Sequence, residues 1–124
     1  MIVGIGCDII EIERIAKAVA KEAFRNRVFT PGEIAYAESR GKQAASSYAA
    51  RYAAKEAVLK ALGTGLRNGS LQEIEVENDA LGKPFLKLSG YHAELAEQKG
   101  IDRWQLSLSH GRDTAIAYVI AEKG

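Results

Sequence analysis

Hydrophobic and polar residues follow different rhythms in the two halves of the chain. Residues 2–9, IVGIGCDI, are an apolar run thinned by Gly4 and Gly6, the pattern of a short buried strand. In EIERIAKAVAKEAF, Ile12, Ile15, Ala16 and Val19 recur at helical spacing, which predicts one amphipathic helix. Thr30-Pro31-Gly32-Glu33 has the form of a capping box with proline at the first helical position. A short helix should start there and stop at Gly41. A longer one is expected from about Ala44 to Leu62.

Beyond Gly65 the period shortens to two. Glu73, Glu75 and Glu77 alternate with Ile74 and Val76 in LQEIEVEND, as in a strand with one wet face. A breaker-rich turn from Asn78 to Pro84 leads into PFLKLSG, the expected partner of a hairpin. YHAELAEQKG reads as a short helix with a glycine stop. WQLSLSH and TAIAYVIA, joined by Gly111-Arg112-Asp113, read as a second hairpin. Helices gathered early and strands gathered late predict an α+β fold, an antiparallel sheet packed on helices.

Composition narrows the class. With 124 residues, one domain spanning 1–124 is expected, burying roughly two-thirds of its unfolded surface. The apolar and charged fractions, 47% and 27%, argue against disorder. A net charge of +1 gives no global pull towards nucleic acid or a membrane. Cys7 is alone, so no intrachain disulfide can form, and a reducing cytoplasm fits. The opening MIVGIGCDII lacks a basic leader region, and no apolar run approaches the ~20 residues that cross a bilayer.

The helix RYAAKEAVLKALGTG carries the first candidate chemistry. On a wheel of about 100° per residue, Tyr52 and Lys60 each lie about 40° from Glu56, while Val58 and Leu62 lie nearly opposite. Arg51 and Lys55 fall near the Val58 side, and alanines fill much of the rest. No broad polar face remains, so the helix should be largely buried. Glu56 and Lys60 then have two readings. They form an exposed i,i+4 ion pair worth a few tenths of a kcal/mol, or Glu56 is an acid whose burial demands a partner or a metal. Asp8 likewise has two. It and Glu11 form a capping box, or it is a strand-end carboxylate that shares a hard divalent cation with Glu56. Lys60 would then balance phosphate charge.

GIGCDIIEIERI, RYAAKEAVLKALGTG and LGKPFL, in this order and at this chain length, resemble holo-acyl-carrier-protein synthase, the small bacterial class of 4′-phosphopantetheinyl transferases. The resemblance implies the 4′-phosphopantetheinyl transferase fold and transfer of 4′-phosphopantetheine from coenzyme A to a serine of apo-acyl carrier protein. Adenosine 3′,5′-bisphosphate would be released, and fatty acid biosynthesis would be the setting. It implies that Asp8 and Glu56 bind magnesium and that Lys60 sits at the transferred phosphate. Arg51, Gly63, Gly65, Lys83, Pro84 and His110 would line the coenzyme A cleft, and Arg14 would meet acidic residues of the carrier protein. A homotrimer with clefts between subunits is implied as well. Tyr52 stands where phenylalanine is common in the family, which keeps the aromatic ring and adds a hydroxyl.

With the nucleophile on the partner, the absence of a nucleophile elbow or Cys-His signature is consistent. The serine proton would go to Glu56 or to a metal-bound water. Arg14, Lys17, Lys21 and Arg25 recur at three- and four-residue steps, a basic stripe that is either an ordinary solvated face or, as the resemblance implies, the dock for an acidic helical carrier protein. His92 is expected to be structural, and two histidines with one cysteine make no zinc site. Two rivals remain open from sequence: a magnesium-dependent pyrophosphate hydrolase, and a non-enzymatic adaptor for acidic helical partners.

Overall fold

The computed structural model describes residues 1–124. Strand β1 (Ile2–Glu11) leads into helices α1 (Ile12–Val19), α2 (Glu22–Val28), α3 (Pro31–Glu38) and the long α4 (Ala44–Leu62). The hairpin β2 (Ile74–Asn78) and β3 (Pro84–Leu88), helix α5 (Gly90–Gln98), and strands β4 (Arg103–His110) and β5 (Thr114–Glu122) follow. The sheets are antiparallel: β1-β5-β4 in one and β2-β3 in the other. This is an α+β fold, as expected.

Small residues decide how the layers meet. Ala53, Ala54 and Ala57 of α4 are fully buried, as are Ala115, Ala117 and Ala121 of β5, so the helix axis lies close to the sheet. Gly4 and Gly6 bring β1 closer still. A Cβ at Gly6 would stand 1.8 Å from the Ala57 carbonyl oxygen, and one at Gly4 2.2 Å from that of Ala61. Strand side chains alternate, so Asp8 points to the α4 side along with these glycines. The expectation of a wholly buried first strand is therefore corrected. Its inner face packs on α4, but Ile5 and Ile9 on its outer face are 66% and 61% exposed.

The first helix is also two helices rather than one. Lys21, with φ −87° and ψ 113°, breaks it. On a continuous helix Phe24 would lie about 180° from the buried Ile15. The break turns Phe24, Val28 and Phe29 inward, where Phe29 meets Tyr48 edge-to-face at 5.0 Å. Thr30 and Glu33 do form the capping box of α3, each side chain bonding the other's backbone N–H. Asp8 caps nothing: β1 continues past it to Glu11, and α1 starts without a side-chain cap. Glu73 falls in a 3₁₀ turn (Leu71–Glu73) ahead of β2 and accepts from His92 Nδ1 and from the His92 backbone N–H. His92 itself is fully buried.

Candidate active site

Two groups of polar side chains lie on different sides of α4. The first forms where β1 crosses the helix. Lys60 Nζ donates to Asp8 Oδ1 and to the Cys7 carbonyl, both at 2.9 Å. The Asp8 side chain is 15% exposed and that of Lys60 56%. The hydrogen bond to Asp8, and then the charge of Asp8, raise Lys60 above the ordinary lysine value, so Lys60 stays cationic through the neutral range. Glu56 adds to the same shift.

Glu56 has no ion-pair partner within 4.0 Å; Lys60 has turned to Asp8 instead. The exposed Glu56–Lys60 pair is thus not formed. Burial raises the Tyr52 hydroxyl, and the charge and hydrogen bonding of Glu56 raise it further. Arg14 and Asp8 also act on Tyr52, so α1, β1 and α4 bring Asp8, Arg14, Tyr52, Glu56 and Lys60 within reach of one another's charge. The donor set suits a hard cation: two carboxylates from separate elements, one of them unpaired. No three His, Cys, Asp or Glu side chains converge anywhere in the chain to form a metal cage. Magnesium takes one or two carboxylates and fills its octahedron with water and phosphate oxygens, and Asp8 with Glu56 meets that requirement.

The second group lines a cleft of about 500 Å³ between α3, the N-terminal half of α4, the β2–β3 turn and the end of β4. Arg51, Pro84 and His110 meet there. Tyr36, Arg40, Ser47, Asn78 and Ser109 join them; sequence reasoning named none of these. The Asn78–Pro84 turn was legible, but its approach to α4 depends on the fold. Arg51 is only 3% exposed. It donates through Nη1 to Ser47 Oγ at 3.2 Å and through Nη2 to Asn78 Oδ1, and its guanidinium lies 4.1 Å over the Tyr36 ring. Burial lowers its pKa, and the nearby charge of Glu33 opposes that shift.

The remaining expected residues scatter. The Lys83 backbone N–H bonds Asp79 Oδ1 at 2.9 Å, and the residue stands beside the cleft rather than in its wall. Gly63, at φ 79°, ends α4, and Gly65 follows at φ 65°; both have open space around them, at the Lys60 end of the helix. At about 100° per residue, Ser47, Ala50 and Arg51 lie between about 120° and 220° from Glu56, and neither Asp8, Glu56 nor Lys60 lines the cleft. On one chain the acid cluster and the cleft are therefore separate.

An acidic pair with a lysine and a separate arginine-bearing cleft, on this α+β frame, define a class. The sequence profile of the 4′-phosphopantetheinyl transferase superfamily matches residues 4–119, and the chain belongs to that superfamily. It is an enzyme of the holo-acyl-carrier-protein synthase type. A holo-[acyl-carrier-protein] synthase of Trichlorobacter lovleyi is 53% identical over 125 residues, covering 98% of each chain. The crystal structure of the Neisseria meningitidis holo-[acyl-carrier-protein] synthase superposes with a TM-score of 0.89 at 41% identity, over 99% of this chain and 100% of that one. The Bacillus anthracis synthase, solved in complex with CoA (3′,5′-ADP), gives 0.82 at 40% identity, over 100% and 99%.

Proposed function

We propose that this chain, acting as one catalytic domain in the cytoplasm, transfers 4′-phosphopantetheine from coenzyme A to a serine of apo-acyl carrier protein. Adenosine 3′,5′-bisphosphate leaves, magnesium is required, and fatty acid biosynthesis is the setting. The observation that carries this reading is the meeting of Asp8, Glu56 and Lys60 where β1 crosses α4.

The serine oxygen forms a bond to the phosphorus on the pantetheine side of the pyrophosphate, and the bond from that phosphorus to the bisphosphate oxygen breaks. Asp8 and Glu56 would hold a magnesium ion, which would supply positive charge at the pyrophosphate. Lys60, kept cationic by Asp8, stabilises the charge that develops on the leaving phosphate. The serine proton would go to Glu56 or to a metal-bound water. Most of the acceleration comes from positioning and electrostatics, as is general for phosphoryl transfer.

A cleft with Arg40, Arg51 and His110 suits the nucleotide end of coenzyme A, yet it lies round the helix from the acids. A neighbouring copy would resolve this. The outer sheet face carries Ile5, Cys7 and Ile9 beside Ile120, Tyr118 and Ile116, with Ile5, Ile9 and Tyr118 more than half exposed. A homotrimer that covers that face is the assembly in which the acids of one subunit and the cleft of the next would come together, with Gly63 and Gly65 leaving room and Lys83 at the cleft rim. Arg14, Lys17 and Lys21 stay exposed and offer an acidic carrier protein its dock, whereas Arg25 has turned inward and donates to the Val19 carbonyl at 3.4 Å.

Mass spectrometry of an apo-carrier protein after incubation with coenzyme A, magnesium and this protein tests the reading. One phosphopantetheine should be gained on serine with the native chain and none with Glu56→Ala. Rapid release of the bisphosphate without carrier protein would point instead to hydrolysis.

A further inference from the structure

We propose that Tyr36 is a positioning residue of the nucleotide cleft: its ring holds the Arg51 guanidinium on the cleft side and so sets affinity for the nucleotide. The proposal rests on the reading above and adds a residue which that reading does not use.

Arg51 is a buried cation with no carboxylate within 4.0 Å. Its Nη atoms donate to the neutral acceptors of Ser47 and Asn78, and its Nε has no partner. A charge removed from water needs compensation, and the face of an aromatic ring can supply part of it. The ring of Tyr36 does this at 4.1 Å, the shortest cation–ring separation in the chain; the others are 5.6 to 5.9 Å. One of those longer contacts, at 5.8 Å, is Arg40 with the same ring. A single ring thus brackets two guanidiniums that have no ion pair with a carboxylate, an arrangement that suits an anion.

Tyr36, Arg51 and Asn78 are also a wall. On its far side is a smaller cavity of about 200 Å³, lined by Glu75 and Glu77. Thr30 Oγ1 holds Glu75 Oε2 at 2.6 Å, while Glu77 has only a loose pairing with Lys87 at 3.9 Å. With the ring gone, Arg51 is free to turn towards Glu77 and away from the nucleotide. Tyr36 is itself well placed to stay put, since the capping box fixes the start of its helix.

The test compares Tyr36→Leu, Tyr36→Met and Tyr36→Phe with the native chain. KM for coenzyme A and the dissociation constant of adenosine 3′,5′-bisphosphate, measured by calorimetry, are the readouts. Both should rise about tenfold in the Leu and Met variants, with kcat within about twofold of native. Tyr36→Phe should recover the lost affinity. Native affinity in both aliphatic variants, a loss confined to kcat, or a Phe variant as weak as Leu would overturn the proposal. If the native chain transfers nothing, the functional reading falls, while the calorimetry still reports the hold of Tyr36 on Arg51.

Discussion

Lys55 and Lys60 stand five positions apart on α4 and meet opposite fates. Lys60 lies at the surface and donates to Asp8 and to the Cys7 carbonyl. Lys55 is fully buried, and its three N–H groups are all taken: Glu33 Oε1 at 2.8 Å, the Leu71 carbonyl at 3.0 Å and the Ile74 carbonyl at 2.7 Å. Glu33 accepts in turn from the Thr30 and Val76 backbone N–H groups. Burial lowers the Lys55 pKa against the opposing charge of Glu33. The ammonium ties α3, α4 and the start of β2 into one unit. Lys55→Met should therefore cost about 3–5 kcal/mol, because it strands Glu33 as a buried charge and leaves two carbonyls bare. Urea unfolding checks this, and a loss below about 1 kcal/mol would contradict it. The wheel placed Lys55 among apolar neighbours but could not supply Glu33, which is twenty-two residues away and joined only by the fold.

At the scale of elements, the crossing of β1 over α4 makes the site. Gly4 and Gly6 let the strand backbone rest on helix carbonyls, and Asp8 arrives beside Lys60 as a result. Gly6→Ala should cost about 3 kcal/mol or more, since its Cβ would meet backbone rather than a yielding side chain. The same displacement should impair catalysis in the fraction that folds. Melting temperature with specific activity measures both, and a variant native in each would show that close approach is not needed. Much at this scale was legible. The α3 capping box, the α4 span and both hairpins follow from local pattern and turn chemistry. The break at Lys21 was not, because α1 is amphipathic by itself and only the pull of Phe24 and Phe29 towards Tyr52 and Tyr48 turns the chain. Nor was the end of β1: Asp8 and Glu11 have capping-box spacing, and pairing with β5 overrides it.

For the whole molecule, the residues implied by resemblance divide between two places that one chain does not join. Asp8, Glu56 and Lys60 gather at the β1 crossing, and Arg51, Pro84 and His110 gather in the cleft on another side of α4. Motifs in the sequence named both sets, but a linear pattern carries no information on which face of the assembly each will occupy. The exposed apolar face of the β1-β5-β4 sheet supplies the physical reason for copies to associate. Coexpression of Asp8→Ala and Arg51→Ala chains tests the proposed shared site most directly, because each variant alone would lack one half. In randomly mixed ring trimers about one interface in four joins an intact acid cluster to an intact cleft, so transferase activity should return to about a quarter of native. Activity no greater than the mean of the two variants assayed separately would contradict the account.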